Sequence, residues 1–192
     1  MNAPLTQEEK DYLLTLARHA MTTAVIGKMR MHVEDSEVPA GLRQKGASFV
    51  TLTIAGELRG CIGSLEAYQP LYQDVQQHAV EAALEDYRFQ PVTEEELPLI
   101  SIEISRLTAP EPLPYTSPTS LTGLLRPHQD GVILRDGARR ATFLPQVWEQ
   151  LPQPAMFLSH LCQKMGASPD LWRQKLLEVS IYRVEEFSEK EA

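Results

Sequence analysis

A cysteine framed by an arginine and two glycines is the feature of this chain best suited to chemistry. The segment Leu58–Gly63 reads LRGCIG, and Cys61 is one of only 2 cysteines in 192 residues. A thiolate is a strong nucleophile, and a guanidinium two residues away on the same face of a strand can favour that charge or bind an anion. Glycines within a strand are typical of a close approach of backbone or ligand. We therefore expect a ligand site formed by Arg59, Gly60, Cys61 and Gly63.

An enzyme would need further groups beside the Cys61 thiol. His160 is a candidate general base and Glu103 a candidate to orient its imidazole, which gives a catalytic set of Cys61, His160 and Glu103. Backbone N–H groups around Gly60 and Gly63 could then hold an oxyanion. The alternative is that Cys61 is a small buried hydrophobic residue and that His160 packs on its helix, because free cysteines are commonly buried and inert. The residues leave both interpretations open.

A non-catalytic binding protein is the other function class that these residues allow. Arg59 and Arg88 would pair with a carboxylate or a phosphate, because the fork of a guanidinium matches either group. The ligand would be a small molecule, the end of a peptide or a loop of a partner protein. Arg88 also has an alternative partner in the nearby Asp86, and such an ion pair contributes little when it is exposed. Whether the protein is an enzyme stays open at this point.

The soft metal ligands of the chain do not have the spacing of a metal site. His160 and Cys162 are two residues apart on a predicted helix, so they point about 200° apart around its axis. No CxxC or HExxH motif occurs, and neither common glycine-rich phosphate motif is present. We expect no metal site and no cofactor.

Hydrophobic periodicity predicts both helices and antiparallel strands. Ser48–Ile54 alternates apolar and hydroxyl residues, and a short turn returns the chain as a second strand over 58–64. The dipeptide Asp136-Gly137 is typical of the turn of another hairpin. Because tight hairpins exclude a purely parallel sheet, we expect an α+β fold with a mixed, mainly antiparallel sheet and packed helices. Further strands are predicted at 100–105 and 179–184, and helices from 6 to about 29, from 70 to 86–89, and over 121–125 and 154–165, with another beginning at 168.

The domain organisation follows from length and from proline. A length of 192 residues suits a single domain, 1–192, with a core of ordinary size. The proline-rich stretch within 108–120 is predicted to be extended, because proline removes N–H donors and fixes φ. It is the best candidate for a boundary between two lobes. The closing residues 185–192 are charged, and we expect them to fray.

The charge balance disfavours two classes of partner. A net charge of −8 repels phosphate backbones and anionic membranes, and no apolar run reaches the ~20 residues of a membrane span. We expect neither nucleic acid nor a membrane as a partner. Arg135, Arg139 and Arg140 form a local basic group, which we interpret as a solvated face of a short hairpin. The first residues resemble no signal peptide, so the two cysteines are expected to be free thiols in the cytoplasm.

The hexapeptide and several other segments resemble a known family. LRGCIG resembles the signature of the AMMECR domain, also called AmmeMemoRadiSam system protein A. The resemblance continues in order along nearly the whole chain, with small departures: Tyr87 stands where the family usually has proline, and Ser64 where threonine is common. The other segments that carry it are Pro70–Tyr72, Arg88-Phe89, Thr93–Leu97, Ile102–Ser105, Asp130–Val132, Thr142–Trp148 and Phe157–Cys162.

The resemblance implies a compact α+β fold with two lobes around a cleft, and a hexapeptide near that cleft. It implies no particular reaction. Microbial members of the family accompany a Memo-like protein and a radical-SAM protein, which suggests that these are partners in a shared pathway. We therefore expect a cytoplasmic component of such a pathway. The alternative is a cysteine-nucleophile enzyme that transfers or hydrolyses acyl or thiol groups.

Overall fold

A computed structural model describes residues 3–27 and 32–189. The chain forms two compact units. The first holds the described residues up to Leu107 and those from Glu185 onward, and the second is Thr108–Val184. The boundary after Leu107 lies at the start of the proline-rich stretch. That these units are lobes of one domain around a cleft stays a prediction.

Helices and antiparallel strands make up both units. The helices and strands are α1 Gln7–Gly27, β1 Lys45–Ile54, β2 Glu57–Gly63, β3 Gln69–Pro70, α2 Leu71–Leu84, β4 Ile100–Leu107, β5 Glu111–Pro112, α3 Pro118–Leu124, β6 Gly131–Asp136, β7 Arg139–Phe143, α4 Pro154–Lys164, α5 Leu171–Gln174, β8 Glu178–Tyr182 and β9 Val184–Ser188. The predicted α+β class with antiparallel pairing is confirmed. None of the helices in the described residues is long and apolar enough to cross a membrane.

The first unit is a five-stranded sheet with two helices against one face. The strand order is β2-β1-β4-β9, and β3 pairs with the start of β1. Because successive residues of a strand point to opposite faces, Val50 and Leu52 of β1 and Ile102 and Ile104 of β4 all face the helices and are buried. The predicted apolar faces of α1 and α2 are buried against them: Leu13, Ala17, Ala20, Met21 and Ala24 in α1, and Leu71, Val75, Ala79, Ala82 and Ala83 in α2.

The second unit is a four-stranded antiparallel sheet in the order β5-β8-β6-β7. Its core face is covered by aromatic and leucine side chains that include α4 residues. Trp148 stacks on Phe157 with ring centroids 3.7 Å apart, and its indole N–H donates to the carbonyl oxygen of Asp130 at 2.7 Å. The buried indole is therefore fully satisfied, as such a polar group must be.

The end of the chain differs from its prediction. The strand predicted over 179–184 is found as β8, Glu178–Tyr182, in the second sheet. The frayed end predicted after it is wrong, because the chain continues as β9, Val184–Ser188, in the first sheet. Charged residues expected to be solvated are paired, since Glu185 lies 2.8 Å from Lys10 and Glu189 pairs with Arg18. These contacts hold β9 against α1 and β4. Residues 190–192 lie outside the described residues.

Local signals at helix ends are confirmed at α1 and shifted at two other helices, because the helix predicted from 70 to 86–89 is Leu71–Leu84 and the helix predicted to begin at 168 begins at Leu171. The Thr6 hydroxyl accepts the Glu9 N–H at 3.2 Å, and the Glu9 carboxylate accepts the Thr6 N–H at 2.9 Å, which is the predicted capping box of α1. The predicted end of α1 at Met29 lies outside the described residues. In the second hairpin Asp136 pairs with Arg139, so the two-residue turn begins at Gly137, one position later than predicted.

Candidate functional site

The hexapeptide occupies most of the edge strand β2, and each of its glycines faces a close neighbour. A Cβ at Gly60 would overlap the carbonyl oxygen of Ala82 in α2. A Cβ at Gly63 would overlap the ring of Phe49 in β1. Packing therefore accounts for both glycines. Their role in binding a ligand stays a prediction.

Cys61 projects from the face of the first sheet opposite α1 and α2, because its neighbours Gly60 and Ile62 face the helices. Cys61 pairs in register with Thr51 of β1, which pairs in turn with Glu103 of β4. The three residues form a row across three strands, about 10 Å long between the outer Cα atoms. We call this row and its surroundings the thiol face. It brings two of the three predicted catalytic residues onto one surface.

The Cys61 thiol is half-buried and accepts a hydrogen bond. The Thr51 hydroxyl donates to Cys61 Sγ at 3.4 Å. The backbone N–H and C=O of Cys61 point away from β1, so the pair occupies a non-hydrogen-bonded position, where facing side chains lie closest.

Asp86 and Arg88 hold the free edge of β2 at Cys61. Asp86 Oδ2 accepts the Cys61 N–H at 2.9 Å, and Arg88 Nη2 donates to the Cys61 carbonyl oxygen at 3.1 Å. The two side chains also bond each other, with Nε–Oδ1 at 2.9 Å and Nη2–Oδ2 at 2.6 Å. This pair, the Asp86–Arg88 clamp, satisfies backbone groups that an exposed edge strand otherwise leaves open.

The clamp keeps a charged carboxylate in a buried position. The Asp86 side chain is 2% exposed and that of Arg88 44%. The hydrogen bond from Arg88 holds the pKa of Asp86 far below its usual range, although burial alone would raise it, and the N–H groups of Cys61 and Arg88 add to the effect. The sequence suggested Asp86 only as an ordinary ion-pair partner. The structure instead joins the pair to the peptide of Cys61.

Arg59 is the extra residue of a β-bulge. A register shift between Leu52 and Thr53 of β1 leaves it without a partner in the strand ladder. Its side chain turns to Glu96, donating through Nε at 2.8 Å and through Nη2 at 3.0 Å. The bulge interrupts the strict alternation on which a shared face for Arg59 and Cys61 was predicted.

Both arginines predicted to bind a ligand already have carboxylate partners within the first unit. The bonds from Arg59, helped by the Thr93 N–H, lower the pKa of Glu96 to about 2. The ring of Phe89 lies 5.9 Å from the Arg59 guanidinium and 5.5 Å from that of Arg88. One connected cluster at β2 is therefore formed by Arg59, Glu96, Phe89, Arg88 and Asp86. The binding roles of the two arginines stay predictions.

The other two predicted catalytic residues belong to different units. Glu103 is exposed on the thiol face, and partial burial of its carboxyl together with the charge of Glu186 raises its pKa. His160 is exposed on α4 of the second unit. Two residues on, Cys162 is fully buried, and burial raises the pKa of its thiol. Both cysteines are free, and His160 as the base for Cys61 stays a prediction.

Sequence reasoning missed two contributors to the thiol face. Thr51 was recognisable in principle, because the predicted hairpin register sets it opposite Cys61. The clamp was not, because the bond from the Cys61 N–H to Asp86 joins residues 25 apart across a helix. No local pattern signals such a contact.

A buried polar cluster on α2 is structural. Asp74 accepts both the N–H and the hydroxyl of Ser48, at 2.8 and 2.7 Å, and so ties α2 to β1. His78 Nδ1 lies 3.2 Å from the same carboxylate. Within residues 3–27 and 32–189, no three His, Cys, Asp or Glu side chains are grouped as a metal site would require.

Comparisons with known proteins identify the family. A family model described as AMMECR1 matches residues 14–187. A protein of Methanothermobacter thermautotrophicus is 39% identical over 94% of this chain and 93% of its own, and one of Thermofilum pendens is 36% identical over 96% and 92%. The crystal structure of the uncharacterized protein PH0010 from Pyrococcus horikoshii matches with a TM-score of 0.80 and 30% identity, over 97% of this chain and 94% of that one. The chain therefore belongs to the AMMECR1 family.

Proposed function

We propose that the protein binds a small polar molecule on its thiol face, as a cytoplasmic component of a pathway shared with Memo-like and radical-SAM proteins. Cys61, Thr51 and Glu103 contact the ligand in this proposal. Arg88, whose guanidinium is partly exposed, lies at the edge of the site. Gly60 and Gly63 of the hexapeptide allow β2 to pack closely against its neighbours, and so position Cys61.

The Asp86–Arg88 clamp is the observation that carries this proposal. It fixes both outward backbone groups of Cys61 with charged side chains. A site whose contact residues are held in advance loses less conformational freedom on binding. The residue held in this way carries a half-exposed thiol instead of an apolar side chain, which favours a binding role over a purely structural one.

The charges around the thiol face favour a neutral or cationic ligand. Glu103 contributes a carboxylate at the far end of the row from Cys61. Arg59 and Arg88 are paired with Glu96 and Asp86, so an anion would have to displace a carboxylate from each. Hydrogen-bond donors of the ligand are expected to meet Glu103.

Protection of Cys61 from alkylation tests this proposal. In a Cys162→Ser background, the rate of iodoacetamide labelling is measured with glycinamide, spermidine or glycerol as probes of the amide, amine and hydroxyl classes. At least one class should slow labelling saturably, by fivefold or more. Glu103→Gln should abolish the protection, whereas Glu94→Gln, at an exposed position outside the row, should retain it. Unchanged rates with all three classes would contradict the proposal.

A cysteine enzyme is the second candidate, and the Thr51 hydrogen bond to Sγ favours it. With p-nitrophenyl acetate, the thiolate would attack the carbonyl carbon and expel p-nitrophenolate, and water would then hydrolyse the thioester to acetate and regenerate the thiol. A burst of one equivalent of p-nitrophenolate, lost in Cys61→Ser, is expected. If His160 is the base, His160→Ala slows the burst at least tenfold. An equal burst in that variant would exclude the role.

The shared pathway rests on the resemblance to the AmmeMemoRadiSam proteins. Deleting the genes for this protein, for the Memo-like protein and for the radical-SAM protein in one host should cause the same metabolite to accumulate or disappear. Three unrelated metabolite profiles would contradict a common pathway.

A further inference from the structure

The first unit carries an acidic depression that the proposed function does not use. It encloses about 330 Å³ beside the first two turns of α2 and lies within that single unit. Because α2 covers the face of the sheet opposite Cys61, the depression is separate from the thiol face. Its lining comes from α2 and from the loop that leads into the short 3₁₀ turn Asp35–Glu37, and includes His32, Val33, Glu34, Asp35, Tyr72 and Gln73.

A chain of hydrogen bonds at the floor of the depression ends on a carboxylate. The Gln73 side-chain amide donates to the Tyr72 hydroxyl at 2.8 Å, and that hydroxyl donates to Asp35 Oδ1. Tyr72 is only 2% exposed. Its bond to Asp35, together with burial, raises the pKa of Tyr72, so the proton stays on the phenol. The hydrogen-bond donors of the floor are therefore already used within the protein.

The polar atoms that stay open in the depression are acceptors. His32 Nε2 lies 3.1 Å from Glu34 Oε1. In the described part of the chain, this contact and the chain on Asp35 leave the second carboxylate oxygen of each acid and the carbonyl oxygen of the Gln73 side chain open. A ligand that donates hydrogen bonds would complete such a site.

The negative charge of the depression has no fixed cation beside it. Among residues 3–27 and 32–189, no lysine or arginine forms an ion pair with Glu34 or Asp35, and His32 balances Glu34 only when it is protonated. Arg43, which follows the turn, donates to the carbonyl oxygen of Val38 instead, at 2.8 Å. Exposed acids alone would be an ordinary solvated surface. Here Asp35 is held inside a concave site by a buried phenol.

We propose that this depression binds a small alkylamine through its ammonium group. An ammonium group offers three N–H donors and a positive charge. Asp35 and Glu34 supply charged acceptors for it, and such bonds are stronger than those between neutral groups. The half-buried Val33 provides apolar surface for the methylene chain. The volume is at the lower end for ligand sites and suits a diamine the size of putrescine.

An NMR titration of the ¹⁵N-labelled protein at constant ionic strength tests this proposal, with putrescine as the probe. Saturable shifts are expected at the amides of Val33, Asp35 and Gln73. Asp35→Asn should weaken binding by about tenfold, because it removes a charged acceptor, whereas asparagine still accepts from Tyr72. Glu34→Gln, at an exposed position, should weaken it severalfold. Saturable shifts confined to the amides of the thiol face would place the amine there and would overturn the proposal.

Three controls separate a site from a response to surface charge. 1,4-Butanediol replaces both ammonium groups by hydroxyls and should cause no saturable shifts. Mg²⁺ carries the same charge as putrescine without N–H donors and should not displace it. Glu57→Gln removes an exposed carboxylate of the same unit outside the depression and should bind like the parent protein. Displacement by equimolar Mg²⁺, or an equal loss in Glu57→Gln, would overturn the proposal. If Asp35→Asn fails to fold, Glu34→Gln decides, since unchanged binding there also overturns it.

Discussion

The carboxylate of Asp86, on a side chain only 2% exposed, accepts the backbone N–H of Cys61 at 2.9 Å. This bond ties the segment that follows α2 to the free edge of β2, at the residue whose thiol lies on the opposite face from the helices. Arg88 closes the arrangement by donating to the carbonyl oxygen of the same residue. The position of the thiol thus depends on a charged pair that is remote from it in sequence.

Asp86→Asn should destabilise the protein by about 2 kcal/mol at pH 7, because it weakens hydrogen bonds made by a buried charged group. Urea unfolding measures the change. The low pKa of Asp86 in the folded state means that its contribution is present above the ordinary aspartate pKa and is lost as pH falls below about 4. The stability of Asp86→Asn should therefore depend less on pH in the acid range. Glu85→Gln, at the adjacent exposed position, should leave both properties unchanged.

Glu96→Gln tests the ion pair that holds the bulge. The folded pKa of about 2 lies below the ordinary value of 4.5, so the stabilisation is present above pH 4.5 and disappears as pH falls towards 2. We expect a loss of about 1–2 kcal/mol at pH 7, since the pair is only partly exposed. The difference between parent and variant should shrink at pH 2.5. A difference that stays constant with pH would show that the charge of Glu96 is not responsible.

Gly60→Ala should cost about 2–3 kcal/mol of unfolding free energy, because the added methyl group overlaps the Ala82 carbonyl oxygen and must push α2 from β2. Gly123→Ala is the control. Nothing lies within 4 Å of a Cβ at that helical position, so alanine should be neutral or stabilise by up to about 1 kcal/mol. Equal losses in the two variants would contradict the packing account.

Thr51→Val should slow alkylation of Cys61 at pH 7 by about threefold to tenfold, because it removes the hydroxyl that donates a hydrogen bond to Sγ, and such a donor stabilises negative charge on its acceptor atom. Valine keeps the strand preference and nearly the same volume. Thr53→Val, two residues along the same strand face, is the matched control and should leave the rate unchanged. A rate in Thr51→Val equal to the parent would mean that the hydroxyl does not influence the sulfur.

Local patterns predicted most of the secondary structure. The alternation in Ser48–Ile54 identified β1, and the hairpin returned the chain with Cys61 on β2. The bulge at Arg59 was not predictable, because it depends on how β2 pairs with β1 and not on the composition of either strand. The bulge changed the direction of one predicted site residue.

Contacts between residues remote in sequence account for the wrong prediction at the end of the chain and for the missed Asp86–Arg88 clamp. The charge of the last residues predicts a frayed tail. In the structure, Glu185 and Glu189 form ion pairs with Lys10 and Arg18 of α1, which are more than 170 residues away in sequence. The same limit applies to the site. Periodicity placed Cys61 on a strand, but its bond to Asp86 depends on how α2 packs, which no local signal contains.

Alkylation of Cys61 in the folded protein tests the central claim most directly. The Cys162→Ser variant is treated with iodoacetamide at pH 7 in buffer and in unfolding concentrations of urea, and the rate is followed by mass spectrometry. We predict that Cys61 reacts in the folded state at least as fast as in the unfolded chain, because the clamp holds a half-exposed thiol that accepts a hydrogen bond. Labelling that appears only on unfolding would contradict a functional thiol face and would leave Cys61 as a packing residue.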